Sequence, residues 1–264
     1  MKISIVTPVF NDRRVGCALD SILSQRHEHE LELIVVDAGS TDGTMEILRG
    51  YEDRIAILVS EPDDGIYDGM NKGVRLATGD VVGILSADNR YADDFVLRDV
   101  MEVFSKVEND ACYGNTLHVN QYDEVVMHWN PGRPNLRKFL SNWMPSHSSF
   151  FVRRRVYECY GLYDQTMPIS ADFELTRRLV FKHRIKVEHI DRVLVRFALG
   201  GASSRQVWGI IMPAPDIVRA WRIHYPRAWV LFLVARFVYR CLLRPVWQAV
   251  LPIGRTILPQ GPKK

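Results

Sequence analysis

Short apolar runs alternate with segments of helical spacing along the first third of the chain, and that alternation leaves few folds open. Ile3 to Val9 reads as a buried strand, followed by Asn11-Asp12. Val15 to Gln25 puts Val15, Leu19, Ile22 and Leu23 on one helical face. Leu31 to Val36 is a second apolar strand, and Asp42 is placed to cap a helix over Thr44 to Arg49. Ile55 to Val59 is a third strand, Asn71 to Ala77 a helix, and Val81 to Leu85 a fourth strand. Strands joined through helices become parallel neighbours, so an open α/β sheet is expected. Ligands of such sheets bind beyond the carboxyl ends of the strands. Asp12, Asp37, Asp63, Asp64 and Asp88 all fall just past predicted strand ends. So many carboxylates along one edge repel each other unless a cation or hydrogen-bond donors meet them.

Beyond Asp110 the pattern loosens into short strands and an Asn130–Pro134 loop, then helices over Arg153–Tyr160 and Phe173–His183. With 264 residues, 47% of them hydrophobic and 25% charged, the chain has an ordinary globular composition and can bury a sizeable core. Cys17, Cys112, Cys159 and Cys241 are scattered, which disfavours a disulfide framework or a zinc site and implies a reducing compartment. Met1-Lys2 runs directly into the first strand, so no cleaved export signal is expected. The net charge of +3 conceals an asymmetry. From Arg205 onward ten Lys or Arg face one acid, a net +9, whereas the remainder carries 24 basic and 30 acidic residues, a net −6. A basic tail on an acidic body points to an anionic surface as partner and not to nucleic acid.

The densest chemistry lies in Ser60-Glu61-Pro62-Asp63-Asp64-Gly65-Ile66-Tyr67-Asp68-Gly69-Met70-Asn71-Lys72-Gly73, a loop of carboxylates and glycines that opens into a helix. Leu85-Ser86-Ala87-Asp88-Asn89 follows, with a carboxylate at the end of an apolar strand. A hard divalent cation takes oxygen ligands and keeps several waters, so one carboxylate plus substrate phosphates can hold it. Asp88 fits that role, although an Asp-Asn turn would use the same residues. Asp37 opens Gly39-Ser40-Thr41-Asp42-Gly43 and serves either as a loop-closing acceptor or as a contact for a base or ribose. No Gly-x-Gly-x-x-Gly follows the first strand, and no Gly-x-x-x-x-Gly-Lys-Ser/Thr is present. A dinucleotide fold and a P-loop kinase are therefore disfavoured.

Taken in order, five segments resemble those of family 2 glycosyltransferases over roughly residues 1–200. They are Thr7-Pro8-Val9-Phe10-Asn11, Val35 to Thr44, Asp64 to Gly73, Gly79-Asp80 and Ser86-Ala87-Asp88-Asn89. The branch that builds bacterial surface polysaccharides is the most similar. The resemblance implies an inverting enzyme with a GT-A fold, a Rossmann-like, mostly parallel sheet flanked by helices. It implies that Asp37 meets the nucleotide base, that Thr7, Pro8, Gly65, Asp68, Asn71, Lys72 and Ser86 border a nucleotide-sugar donor, and that Asp88 binds Mn²⁺ or Mg²⁺. The family's Asp-x-Asp is reduced here to Ser86-Ala87-Asp88, with one acid. Ile169-Ser170-Ala171-Asp172-Phe173-Glu174 resembles the family's acidic pair at a helix start, here Ala-Asp, and makes Asp172 the expected base for the acceptor hydroxyl. The same Asp would also cap the helix. Glu174 is expected to point away or to support. His147, in Pro145 to Phe151, resembles a histidine near the acceptor or diphosphate. His27-Glu28-His29-Glu30 reads as a solvated loop, and Arg153-Arg154-Arg155 as a solvated face more than a phosphate contact.

The expected organisation is a glycosyltransferase domain over residues 1–204, with a nucleotide-sugar half to about residue 110 and an acceptor half from 111, and a tail over 205–264. Trp208, Trp221, Trp229 and Trp247 all lie in that tail. Pro226 to Arg244 is expected to form an amphipathic helix with Arg236, Arg240 and Arg244 in one stripe. Such a helix lies in a membrane interface, or else packs on the catalytic domain or a second subunit. No run reaches the roughly 18 apolar residues of a spanning helix. The functional expectation is transfer of one sugar from a nucleotide-sugar donor, a UDP-sugar by resemblance, to a lipid-linked or saccharide acceptor at the inner face of the cell membrane. Two alternatives stand beside it: a non-catalytic sugar-nucleotide-binding or scaffold protein, and a nucleotidyltransferase.

Overall fold

The computed structural model describes residues 1–135, 138–139, 143–199, 215–226, 229–230 and 234. Its N-terminal half follows the predicted alternation: β1 (Lys2–Val9), α1 (Val15–Leu23), β2 (Glu30–Asp37), α2 (Thr44–Arg49), β3 (Ile57–Ser60), α3 (Ile66–Leu76) and β4 (Val81–Ile84). A short β5 (Arg90–Tyr91) and α4 (Val96–Phe104) lead into the second half. That half contains β6 (Ala111–Val119), β7 (Val125–Trp129), β8 (Phe150–Arg153), α5 (Arg154–Tyr160), α6 (Ala171–Arg177), β9 (Val187–Ala198) and α7 (Pro215–His224). Helix α6 continues into a π-helical turn over Arg178–Lys182.

One sheet runs in the order β3-β2-β1-β4-β8-β6-β9-β5, with β7 also on β6. Strands β1 to β4 are mutually parallel where they pair. Strand β8 then runs antiparallel to both β4 and β6, and β6 and β9 pair in parallel. The sheet is thus parallel in the N-terminal half and mixed overall. Strand residues alternate between two cores. Val6, Ile34, Val36, Val82 and Ile84 face α3, α5 and α6, whereas Ile3, Ile5, Leu33 and Val35 face α1 and α4. Burial on both faces explains the largely apolar runs, interrupted only by Ser4, Thr7 and Glu32 within Ile3–Val9 and Leu31–Val36, because every position of a covered parallel strand is interior. Each fully buried Val or Ile contributes about 1.5–3 kcal/mol.

Helix α3 begins at Ile66, earlier than the spacing from Asn71 predicted. Gly65 opens it at φ +110°, ψ 174°, a conformation that a side chain resists. Further along, Gly73 lets α3 lie directly on β1: a Cβ there would come 2.1 Å from Val6 Cγ1. The glycines that read as loop are what seat this helix on the sheet. Arg153 is also not where the sequence placed it. It is buried, and its guanidinium donates to the carbonyls of Asn109 (2.7 Å) and Phe104 (2.7 Å), tying β8 to the end of α4.

Helix α7 packs against α6 and its continuation. Trp221 is buried and lies 4.0 Å from the Arg177 guanidinium, so this tail tryptophan faces the protein and no membrane. Asp216 accepts from the Ile169 amide, and Arg219 donates to the Thr166 carbonyl. The predicted Pro226–Arg244 helix, with Arg236, Arg240 and Arg244, and Trp208 and Trp247 lie almost wholly outside the described residues. Among the described residues no helix is long and apolar enough to cross a membrane.

Candidate active site

The carboxyl ends of β1, β2 and β4 gather the predicted donor-side residues. The β2–β3 register sets Asp37 opposite Ser60, and Ser60 Oγ donates to its carboxylate at 2.7 Å. The amides of Gly39 (3.1 Å) and Ser40 (3.0 Å) donate to it as well. Asp37 is wholly buried, so in this state it closes the 38–43 loop. Thr7 is buried beside it in register with Val35, and its Oγ1 has no hydrogen-bond partner among the described residues. Pro8 precedes the strand end.

The polar side chains of α3 divide into two tasks. Asp68 and Lys72 form an ion pair at 3.3 Å on the helix surface. Lys72 also meets Glu61 at 2.9 Å, and Gln165 donates to Asp68 at 2.7 Å. Asn71 faces inward. Its side-chain amide donates to the Tyr163 carbonyl (2.9 Å) and accepts from the Tyr163 amide (3.0 Å), which clamps α3 to the segment ahead of α6. With 1% exposure it braces α3 from beneath.

Asp88 follows β4 and is largely buried. Burial pushes its carboxyl up and Asp12 adds to this, against the pull of Arg14 and His147. The Arg14 guanidinium lies 3.9 Å from it and is itself held by Asp12 through Nε at 2.8 Å. Neither Asp12 nor Arg14 stood out as a site residue in sequence; only their position past β1 gave a signal. Among the described residues no group of three His, Cys, Asp or Glu side chains could hold a metal. A single buried carboxylate with no nitrogen or sulfur donors fits Mg²⁺ or Mn²⁺ only where water and phosphate oxygens complete the shell.

The second half supplies the other wall. Asp172 stands in the first turn of α6, as the sequence predicted, and Oδ1 accepts from the Phe173 amide at 2.8 Å. His147, in a single 3₁₀ turn before β8, spans the two halves. Its Nε2 is 3.2 Å from Ser86 Oγ and its Nδ1 is 3.5 Å from Asp172 Oδ2. Ser86, Asp88, His147 and Asp172 are thereby brought together from distant points in the chain. Glu174 is turned inward and buried, bonded to Arg178 at 2.8 Å and to His224. An apolar cavity of about 630 Å³ around Phe139, Phe181, Ile185 and Tyr225 is lined by none of these residues.

A parallel N-terminal half with carboxylates at its strand ends, joined through β8 to a half that brings an Asp on a helix start, defines a glycosyltransferase of the GT-A type. The Glycosyl transferase family 2 domain matches residues 4–161, and the chain belongs to that family. It is similar to an uncharacterized glycosyltransferase of Mycobacterium tuberculosis, 33% identical over 67% of this chain and 68% of that one. It is also similar to a PGL/p-HBAD biosynthesis glycosyltransferase of Mycobacterium bovis, 28% identical over 76% of this chain and 78% of that one. Among solved structures, S. aureus TarS 1–349 in complex with UDP-GlcNAc superposes with a TM-score of 0.67 at 16% identity, covering 94% of this chain and 78% of that one. The chain spans 44% of the longer TarS chain. A mannosyltransferase from Pyrobaculum calidifontis in complex with GDP-Man and Mn²⁺ gives a TM-score of 0.64 at 19% identity, covering 90% of this chain and 69% of that one. At these identities the two structures establish the fold alone.

Proposed function

We propose that this protein transfers one sugar, with inversion, from a nucleotide-sugar donor to a hydroxyl of a lipid-linked or saccharide acceptor in cell-surface glycan synthesis. The observation that carries the reading is the meeting of Asp172, His147 and Ser86 within 3.5 Å contacts beside Asp88. The donor lies along Thr7, Pro8, Asp37, Gly65, Asp68 and Lys72, with Asn71 bracing that edge from below. A UDP-sugar is the favoured donor, in keeping with the UDP-GlcNAc of the TarS complex. The GDP-Man of the archaeal enzyme makes guanine the base to test against it. The surface-glycan assignment is supported by the similarity to the PGL/p-HBAD biosynthesis glycosyltransferase of Mycobacterium bovis.

In the transfer step Asp172 takes the proton of the acceptor hydroxyl as that oxygen bonds to the anomeric carbon. The bond from that carbon to the phosphate oxygen breaks, and its electron pair leaves with the nucleoside diphosphate. Asp88 would hold Mn²⁺ or Mg²⁺, and an ion bound there supplies counter-charge to the departing diphosphate. Arg14, held by Asp12 and 3.9 Å from Asp88, would add positive charge near the same phosphates. The division into a donor half to about residue 110, an acceptor half to 204 and a basic tail belongs to this reading. So does attachment of that tail, +9 in charge, to an anionic membrane surface.

The test is a panel of UDP-, GDP- and dTDP-sugars screened for Mn²⁺-dependent binding and nucleoside diphosphate release, followed by trials with lipid-linked acceptors. Asp172→Asn should abolish transfer and leave donor binding intact. Near-normal turnover in that variant would rule out the base. Donor binding without any turnover on every acceptor would favour the non-catalytic binding protein.

A further inference from the structure

Asn89, directly after Asp88, is buried and joins three elements at the open edge of the sheet. Its side-chain amide donates to Ser148 Oγ (3.0 Å) in the turn that carries His147, and its side-chain oxygen accepts from the Ala198 amide (3.0 Å) at the end of β9. The end of β9 is thereby held against the His147 turn. Phe197, the residue before Ala198, meets the His147 imidazole edge-on, with ring centroids 6.2 Å apart. His147 Nδ1 in turn lies 3.5 Å from Asp172 Oδ2.

From Phe197 a row of side chains runs outward across the sheet. Because β8 is antiparallel to both β4 and β6, and β9 is parallel to β6, the carboxyl ends of β4, β6 and β9 share one edge. The Phe197 ring lies 5.0 Å from that of His118 on β6. His118 is opposite Met127 on β7, and Thr116 is opposite Trp129. Directly opposed residues of an antiparallel pair point to one face, and so do alternate residues of one strand. Met127 and Trp129 therefore extend the face of His118 and Phe197. Every residue of β7 is exposed, Met127 by 43% and Trp129 by 39%, and none is Asp, Glu, Lys or Arg. Burial pushes the His118 imidazole down, so it is neutral at pH 7 and the row carries no charge. Exposed apolar surface continuous with a site marks where a ligand packs, and an uncharged row offers a phosphate no counter-charge.

We propose that Phe197, His118, Met127 and Trp129 form the acceptor subsite, and that the acceptor carries an uncharged apolar group, an alkyl or aryl chain, close to the hydroxyl that attacks. The inference rests on the reading of Asp172 as base. The hydroxyl then sits at Asp172 and His147, its apolar neighbour packs on Phe197 and His118, and the chain leaves along Met127 and Trp129 on β7. A bare saccharide would leave that face wet. An acceptor with the apolar chain covers it and gains the burial of each methylene that reaches it.

Two measurements on the full chain test this. In protein labelled with methyl-¹³C methionine, the Met127 resonance is identified by its absence from Met127→Leu. n-Octyl β-D-glucopyranoside, below its micelle concentration, should move that resonance saturably, and methyl β-D-glucopyranoside should not. An unmoved resonance, or an equal shift with both, overturns the proposal. With the donor chosen by the nucleotide-sugar panel, octyl and methyl glycosides of glucose, galactose, mannose and N-acetylglucosamine are then compared as acceptors. The octyl glycoside should exceed its methyl partner by about tenfold or more in kcat/KM. Met127→Asp should reduce that preference about tenfold, whereas His128→Asp, on the other face of β7, should keep it. No preference in the wild type, or an equal loss in both variants, overturns the subsite. Should Met127→Asp fail to unfold cooperatively, Met127→Ser is read in its place, with the same fall expected. Turnover without an octyl preference defeats this inference alone. Donor binding without turnover on any acceptor defeats the transferase reading, and the Met127 resonance then decides the subsite by itself.

Discussion

His147 Nδ1 lies 3.5 Å from Asp172 Oδ2, and the opposite ring nitrogen lies 3.2 Å from Ser86 Oγ. With the proton on Nδ1, the imidazole presents N–H to the carboxylate and accepts from the serine hydroxyl. His147 thus bridges the end of β4 and the start of α6 and fixes their spacing. His147→Ala should lower kcat about tenfold to a hundredfold and leave donor KM nearly unchanged. An unaltered kcat, measured by nucleoside diphosphate release, would remove His147 from the transfer machinery.

In the proposed reaction Asp88 is the carboxylate that would couple a divalent cation to the donor. Asp88→Asn keeps the shape and removes the charge. Calorimetric titration of the variant with a bound-donor candidate from the panel should show the same affinity with and without Mn²⁺. A persisting Mn²⁺ dependence would put the metal on other residues.

Glu32 gives a pH signature to the sheet. It is buried between β1 and the turn before β4, where it accepts from Ser4 Oγ (2.6 Å), Thr78 Oγ1 (2.6 Å) and Lys2 Nζ (2.9 Å). Burial alone would raise its carboxyl, but these donors outweigh burial and hold it at about 2, against 4.5 unfolded. A carboxyl lowered in the folded state adds stability above its unfolded value, and that stability is lost as pH falls towards the folded one. Glu32→Gln should therefore cost about 3 kcal/mol at pH 7, a gap that narrows below pH 4.5 and closes near pH 2. Urea midpoints of both proteins at pH 7 and pH 3 measure it.

Two glycines of the donor helix should fail for different reasons. At Gly73 an added Cβ overlaps Val6 Cγ1 at 2.1 Å, so Gly73→Ala should cost about 1–3 kcal/mol through overpacking. Val6→Ala should return part of that loss. At Gly65 nothing lies within 4 Å, but φ is +110°. Gly65→Ala should cost about 1–3 kcal/mol through backbone strain, with no rescue by Val6→Ala. Thermal midpoints of the single and double variants separate the two.

Arg177 is a buried cation with few polar partners. Burial pushes it down to about 9, and its guanidinium lies 4.0 Å from the Trp221 ring and 4.4 Å from that of Phe139. Nη2 donates to the Phe139 carbonyl, while Nε and Nη1 have no partner among the described residues. A compact ammonium cannot stack between those rings as a planar guanidinium does. Arg177→Lys should destabilise more than Arg177→Met, which removes the buried charge and keeps most of the volume. The reverse order of denaturation midpoints would show that charge, and not stacking, holds α7 in place.

The sequence by itself determined the donor half. Ile3–Val9, Leu31–Val36 and Val81–Leu85 are apolar but for Ser4, Thr7 and Glu32 because both faces of a central parallel strand are interior, and that pattern is local. The acids that follow these strands mark the binding edge for the same reason, since chain direction fixes which end of a parallel strand carries the loop. The resemblance carried by Asp37, Asp64–Gly73 and Asp88 located the family, and Asp172 on a helix start was legible from its own neighbours.

Only the tertiary structure decided what each side chain meets. Asn71 read as a donor contact and proves to be a buried clamp on Tyr163. Arg153 read as a surface charge and holds three carbonyls of the α4 end. Trp221 read as part of a membrane face and is packed on Arg177. Tyr67 carried no signal, and Arg14 only its position past β1, because their partners Asp172 and Asp88 lie far along the chain. Periodicity reports whether a residue is turned inward, and it does so from neighbours a few positions away. The partner of a hydrogen bond is chosen by the register of β4, β8 and β6 and by the tilt of α3 and α6 on that sheet. Those follow from packing the two halves together, a relation that no short stretch of sequence contains.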